Sequence, residues 1–165
     1  MATKDNNLSE YKKENIPDGA DFLIGIVVSE WNDDITLNLL EGAKQTLLNH
    51  NVKPDNIIIK FVPGTFELPL GAQWLLESND DIDGVIAIGC VIQGETKHFD
   101  FVCDGATRGI MDVQLEYNSP VSFCVLTDNN KQQSIDRSGG KHGNKGVECA
   151  VSLLKMIGLQ EELDS

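Results

Sequence analysis

Residues 89–100 bring together, in one short stretch, several groups that could bind and transform a small ligand. The stretch continues an apolar run and becomes polar at Gly94, after which come the Thr96 hydroxyl and the His98 imidazole. Backbone N–H groups and a hydroxyl at the start of a helix form a cradle for phosphate, because the helix dipole favours negative charge there. A histidine beside an anion is suited to proton transfer, although a lone histidine is also common as a structural residue. The stretch therefore predicts a small-ligand site, and both roles of His98 stay open on this pattern alone.

Two other segments with similar chemistry also follow apolar runs that have the pattern of buried strands. Trp31 offers a flat face on which a heteroaromatic ring could stack, or it is a core aromatic at the end of a strand. Glu67, shortly after Gly64, could accept hydrogen bonds from substrate hydroxyls, or it could serve only to stabilise the start of a helix. Because the carboxyl ends of parallel strands meet at one edge of a sheet, these segments are predicted to converge with residues 91–98 and with the segment from Thr127 onward.

The segment 139–146 is rich in glycine and lysine and looks superficially like a phosphate loop. Its spacing does not fit the nucleotide-binding pattern, since Asn144 stands where the second glycine is needed. Arg137, Lys141 and Lys145 nevertheless form a cationic cluster in an acidic protein. The cluster predicts an anion site or, alternatively, a solvated junction between helices.

The composition limits the possible classes of function. The 165 residues include 26 acidic and 13 basic side chains, and the net charge of −13 argues against a general nucleic-acid or anionic-membrane binder. The four cysteines lack the spacing of a disulfide framework or a zinc site, so they are expected to be thiols in a reducing compartment. No apolar run approaches the ~20 residues of a membrane span, and no secretory signal is visible, so we expect a cytoplasmic protein. The histidines are too scattered for a metal site, and neither a metal nor another cofactor is expected.

Apolar, β-branched runs alternate with helical periodicity and predict the elements that position these groups. The strands are expected at residues 22–29, 57–62, from 85 onward and 121–126. Asp33 and Asp34 are expected to supply the N-cap of the first helix, and long helices are expected at about 99–116 and 143–157. This alternation implies a three-layer α/β/α sandwich with a four-stranded parallel sheet, of the flavodoxin-like class. The chain is divided into a flexible N-terminal arm, a single domain and an acidic tail, at residues 1–20, 21–159 and 160–165.

Four segments resemble, in this order, the 6,7-dimethyl-8-ribityllumazine synthase family: Trp31 with Asn32, then residues 62–69, 89–100 and 143–146. The resemblance extends over about residues 22–158. It implies an enzyme that condenses 5-amino-6-(D-ribitylamino)uracil with 3,4-dihydroxy-2-butanone 4-phosphate in riboflavin biosynthesis, releasing phosphate and water. It also implies that the reaction needs neither a redox cofactor nor a metal.

The residues that the resemblance assigns to the pyrimidine and its ribityl chain lie at three predicted strand ends. Trp31 is implied to stack on the ring, and the backbone of Val91 and Ile92 to form hydrogen bonds with it. The residues implied to hold the ribityl chain are Gly64, Thr65 and Glu67.

A second group is implied to bind phosphate and to move protons. Glu95 and Thr96 match the phosphate loop, Arg137 matches a guanidinium that clamps the phosphate, and His98 matches the proton-transfer residue. The residues that match those lent by a neighbouring subunit are Phe123 and Lys145.

The resemblance further implies an assembly. The family forms pentamers, and in some members twelve pentamers build a hollow icosahedral capsid. The link at residues 139–143 lacks the insertion found in members that stop at the pentamer, so the resemblance favours the capsid. Riboflavin synthase is a candidate partner.

Two positions depart from the family pattern. Gln93 stands where many members carry a basic residue, so part of the attraction for phosphate is missing unless Lys97 compensates for it. Trp31 stands where phenylalanine is common, and both rings can stack. Two other classes fit the same pocket: a non-catalytic flavin or lumazine carrier, and a flavodoxin-like electron carrier. An assay of the condensation separates the synthase from the carrier, and a flavin-coloured protein with redox activity and no condensation would indicate the electron carrier.

Overall fold

The computed structural model describes residues 7–165 and contains a four-stranded parallel sheet with the strand order β2-β1-β3-β4. The strands are β1 (Ile24–Ser29), β2 (Ile57–Val62), β3 (Gly84–Ile92) and β4 (Val121–Asp128). Every neighbouring pair in this sheet is parallel. The carboxyl ends of all four strands therefore face the same edge, as the sequence predicts.

Within residues 7–165, five α-helices pack around the sheet: α1 (Asp33–Asn49), α2 (Leu68–Ser78), α3 (His98–Glu116), α4 (Lys131–Arg137) and α5 (Lys145–Asp164). Short 3-10 turns occupy Lys13–Asn15, Pro54–Asn56 and Thr65–Glu67. A small antiparallel hairpin, β5 (Ser138–Gly140) with β6 (Gly143–Asn144), joins α4 to α5. None of the helices within residues 7–165 combines the length and the apolarity that crossing a bilayer requires.

The central strands are buried on both faces, which explains their continuous apolar sequence. In β1, Ile24, Ile26 and Val28 pack in one core cluster with α1 and α5, whereas Val27 packs in a second cluster with α2 and α3. Side chains of a strand alternate between the two faces, so a strand covered on both sides needs apolar residues at every position. This arrangement confirms the predicted three-layer α/β/α class.

The structure corrects several predicted boundaries. The N-cap of α1 is Asn32, and its side chain makes no capping bond. Asp33 and Asp34 lie in the first turn, where their negative charges interact favourably with the helix dipole. The last helix runs to Asp164 and does not end near Ile157. Gly158 lies inside α5, and its missing side chain leaves room for the ring of Pro17, which would be 2.9 Å from a Cβ at that position.

The predicted arm lies partly within the described residues. The Leu8 N–H donates to the His142 oxygen at 2.7 Å, and the Asn144 N–H donates to the Ser9 hydroxyl at 3.0 Å. These bonds join the segment from residue 7 to the hairpin of the same chain. Residues 1–6 lie outside the described residues.

Candidate active site

A cavity of about 760 Å³ opens at the carboxyl edge of the sheet, between the ends of β1 and β3. The segment after β2 and the first turn of α3 complete its walls. The residues that line it are Trp31, Asn32, Gly64, Thr65, Phe66, Glu67, Cys90, Val91, Ile92, Gly94, Thr96, His98, Phe99, Phe101 and Val102. The cavity thus brings together residues from three segments that are far apart in sequence.

Trp31 lies at the mouth of this cavity, on the turn that follows β1. Its side chain is 70% exposed, so it is not a core aromatic at the end of a strand. The next residue, Asn32, adopts the left-handed conformation with φ 59°, and its Nδ2 donates to the Cys90 oxygen at 2.9 Å. Asparagine is one of the few residues that tolerate this conformation. The bond fastens the turn to the end of β3 and presents the indole ring to the cavity.

Asn32 lines the cavity, although in the sequence it stands out only as the neighbour of Trp31 in a motif. Its left-handed backbone and its bond to β3 give it a separate role in positioning Trp31. The available signal was an asparagine directly after a strand end and before a helix, where αL conformations are frequent.

The segment after β2 contributes a carboxylate and a buried hydroxyl. The Glu67 carboxylate folds back over Gly64, so that a Cβ on Gly64 would lie 3.0 Å from Glu67 Oε2. The Thr65 side chain is buried, and among the described residues its Oγ1 has no hydrogen-bond partner. A buried hydroxyl without a partner costs free energy. This hydroxyl packs against β3, where a Cβ on Gly89 would lie 2.7 Å from Oγ1.

The loop after β3 leads into the N-terminus of α3. Val91 and Ile92 are half-buried at the end of β3, and Gln93 onward is exposed. His98 is the first residue of α3, and its N–H donates to Thr96 Oγ1 at 3.4 Å. The positive end of this long helix therefore points toward the Thr96 loop, which makes the loop favourable for an anion. Glu95 lies in this loop but does not line the cavity.

Cys90 lines the cavity, but its thiol does not act as a nucleophile at neutral pH. Burial raises the pKa of the Cys90 thiol to about 11, although a hydrogen bond to Ser134 acts in the opposite direction. The thiolate is the reactive form of cysteine, so a thiol with this pKa is almost entirely inert near pH 7.

Arg137 is the last residue of α4 and lies near the end of β4, next to the strand β3 whose end lines the cavity. Its Nη1 donates to the Gln133 oxygen at 3.0 Å and lies 3.9 Å from Asp128 Oδ1. Asp128 pairs with Ile92 across the β3–β4 ladder, so Arg137 is at the same edge of the sheet without lining the cavity.

Phe123 and Lys145 are near each other and away from this cavity. Phe123 lies in the edge strand β4, opposite Ala87 of β3. Its backbone oxygen accepts a hydrogen bond from Cys149 Sγ at 3.6 Å. Lys145 begins α5 and forms an ion pair with Glu148. Burial is the largest single effect and lowers the pKa of Lys145, but the hydrogen bond to Glu148 together with the charges of Cys149 and Glu148 outweighs it, so the pKa of Lys145 is raised. Neither residue lines the cavity of its own chain.

The fold and the site together define an α/β protein that binds a small molecule at the carboxyl ends of parallel strands. The family model described as 6,7-dimethyl-8-ribityllumazine synthase matches residues 21–161. The chain belongs to this family.

Relatives with the same name match nearly the whole chain. The 6,7-dimethyl-8-ribityllumazine synthase of Flavobacterium johnsoniae is 57% identical over 162 residues, which cover 98% of this chain and 85% of the relative. That of Cytophaga hutchinsonii is 55% identical over 157 residues, covering 95% and 98% of the two chains. That of Porphyromonas gingivalis is 52% identical over 160 residues, covering 97% and 99%.

The role of Asn32 can be tested with two substitutions that separate its backbone from its side chain. Both Asn32→Ala and Asn32→Gly lose the bond to the Cys90 oxygen, which is worth about 1 kcal/mol. Alanine, unlike glycine, is also strained in the left-handed conformation, which costs about 1 kcal/mol more. We therefore expect Asn32→Ala to lower the free energy of unfolding by more than Asn32→Gly, as measured by denaturant titration at equal protein concentration. An equal or smaller loss for alanine would contradict the assigned role of the backbone.

Proposed function

We propose that the cavity between β1 and β3 is the active site at which this chain forms 6,7-dimethyl-8-ribityllumazine. The chain is a transferase of riboflavin biosynthesis: it condenses 5-amino-6-(D-ribitylamino)uracil with 3,4-dihydroxy-2-butanone 4-phosphate and releases phosphate. The observation that carries the residue assignment is the meeting of Trp31, Glu67 and His98 around one cavity. These three side chains supply a stacking face, a hydroxyl acceptor and a proton-transfer group.

The pyrimidine and its ribityl chain bind on the β1 and β2 side of the cavity. The exposed indole of Trp31 stacks on the heteroaromatic ring, and backbone groups of Val91 and Ile92 bond the edge of the ring. The ribityl hydroxyls bond the Glu67 carboxylate and the backbone of Gly64 and Thr65. The position of Glu67 on the wall of the cavity supports this assignment, because a carboxylate accepts hydrogen bonds from the hydroxyls of a polyol.

The phosphate substrate binds on the α3 side. The Thr96 hydroxyl and the N-terminus of α3 attract the phosphate together with the Glu95 backbone, and the Arg137 guanidinium clamps it from the end of α4. His98 lies between this loop and the ring, where it can give and take protons. Formation of an imine from the amine and the ketone releases water, and removal of an adjacent proton releases phosphate. Both steps need the proton transfer that an imidazole provides.

Phe123 and Lys145 complete the site of a neighbouring subunit in a homo-oligomer. Their distance from the cavity of their own chain supports this proposal, because a contribution from them to any such site requires a second copy. The assembly proposed is the pentamer, with the icosahedral capsid favoured by the tight β5–β6 hairpin, which carries no insertion. Riboflavin synthase remains a candidate partner, and the cytoplasm is the proposed location, since all four cysteines are thiols.

The activity and the role of His98 are tested in one assay. The purified protein, mixed with the two substrates, should form the lumazine chromophore and free phosphate faster than the spontaneous reaction. His98→Ala should lower kcat by roughly 100-fold or more, as expected when general acid–base catalysis is lost. His50→Ala is the matched control, because His50 lies at the far end of α1 and contacts Tyr11. Absence of any acceleration by the wild-type protein would refute the proposed function, and equal effects of the two substitutions would refute the role of His98.

Mixed assemblies test whether the site lies between subunits. The His98→Ala and Lys145→Ala chains should each be weakly active alone, since each lacks one residue of every site. When the two are co-assembled in equal amounts around a ring, about a quarter of the interfaces should pair an intact His98 with an intact Lys145. The co-assembled sample should therefore regain about that fraction of the wild-type kcat. A mixture that stays at the mean of the two parents would refute the sharing of sites, provided that sedimentation shows mixed oligomers.

A further inference from the structure

A buried carboxylate connects the two halves of the proposed phosphate site. Asp128 ends β4, and its Oδ2 accepts from the Ser134 hydroxyl at 2.8 Å. The Ser134 hydroxyl in turn accepts from Cys90 Sγ at 3.5 Å. On its other side, Asp128 Oδ1 lies 3.9 Å from Arg137 Nη1. The backbone oxygen of the same residue accepts from the Gln93 N–H at 2.9 Å, at the start of the phosphate loop.

Asp128 and Arg137 differ in their burial, and this difference gives them different roles. The Asp128 side chain is only 9% exposed, whereas that of Arg137 is 36% exposed. A buried carboxylate is costly unless it is hydrogen-bonded and faces an opposite charge, and Ser134 and Arg137 supply these two conditions. The guanidinium, held from the protein side by Asp128 and by the Gln133 oxygen, still has further N–H donors that can meet a phosphate.

We propose that Asp128 is a positioning residue that orients Arg137 toward the phosphate of the butanone substrate. The inference rests on the proposed function, in which Arg137 binds that phosphate. Ser134 fixes the rotamer of the carboxylate, and the backbone bond from Gln93 sets the distance between the carboxylate and the Thr96 loop. Because Gln93 is uncharged, the orientation of Arg137 carries a larger share of the attraction for phosphate.

The test separates a positioning role from a merely structural one by the parameter that changes. Asp128→Asn keeps a partner for the Ser134 hydroxyl but removes the charge that faces Arg137. We expect it to raise KM for the butanone phosphate roughly 3- to 10-fold, the range for losing one partly exposed charge pair. Both kcat and KM for the pyrimidine should stay within about twofold of wild type. Ser134→Ala should shift the same KM in the same direction by a smaller factor.

A double-substitution cycle gives the sharpest control. If Asp128 acts through Arg137, then adding Asp128→Asn to Arg137→Ala should not raise KM for the butanone phosphate further by more than about twofold. Asp21→Asn is the control for net charge, because Asp21 pairs with Lys53 at 3.6 Å before β1, at the opposite end of the sheet. It should leave both KM values unchanged.

Two results would overturn the inference: an unchanged or lowered KM in Asp128→Asn, or an equal rise with and without Arg137. If Asp128→Asn fails to fold, as judged by circular dichroism, Ser134→Ala alone must show the rise in KM or the inference fails. Calorimetric titration with inorganic phosphate separates this inference from the proposed function. Phosphate bound more weakly by Asp128→Asn than by wild type supports the positioning role even if the protein forms no lumazine, whereas equal phosphate affinity in an active protein refutes only the positioning role.

Discussion

The parallel pairing of β1 with β3 is the constraint on which the rest of the structure depends. Both strands are buried on both faces, and their register sets Val28 opposite Ile88. The Asn32 side chain extends this pairing by one more hydrogen bond, to the Cys90 oxygen. Because the two strands are in register and end at the same edge, the turn after β1 and the loop after β3 face each other across one cavity.

The third wall of the cavity depends on the absence of a side chain in β3. A Cβ on Gly89 would lie 2.7 Å from Thr65 Oγ1 and 2.9 Å from a methyl group of Leu68. Glycine at this position lets the segment after β2 come close to the end of β3, where Thr65 and Glu67 line the cavity. Any larger residue would force that segment outward and change the shape of the cavity.

The sequence predicts the parts of the protein that follow from continuous patterns. Apolar runs long enough to be buried on both faces are visible without a structure, so the four strands and their common edge were predicted correctly. The hydrogen bonds that shape the site could not be predicted. The bond of Asn32 to Cys90 and that of Ser134 to Asp128 depend on how the chain folds in three dimensions, and no spacing in the sequence indicates them. The end of α5 was missed for a related reason: the room that Gly158 leaves for Pro17 is a contact between distant segments that the sequence does not show.

The proposed stacking of a heteroaromatic ring on Trp31 follows most directly from this arrangement, and it can be measured without turnover. The chain has two tryptophans, so a Trp74→Phe variant leaves Trp31 as its only indole. Titration of this variant with 5-amino-6-(D-ribitylamino)uracil should quench the Trp31 fluorescence in a saturable way, at the concentrations where calorimetry detects binding. Calorimetric binding without a change in the Trp31 emission would contradict a pyrimidine site at the ends of β1 and β3.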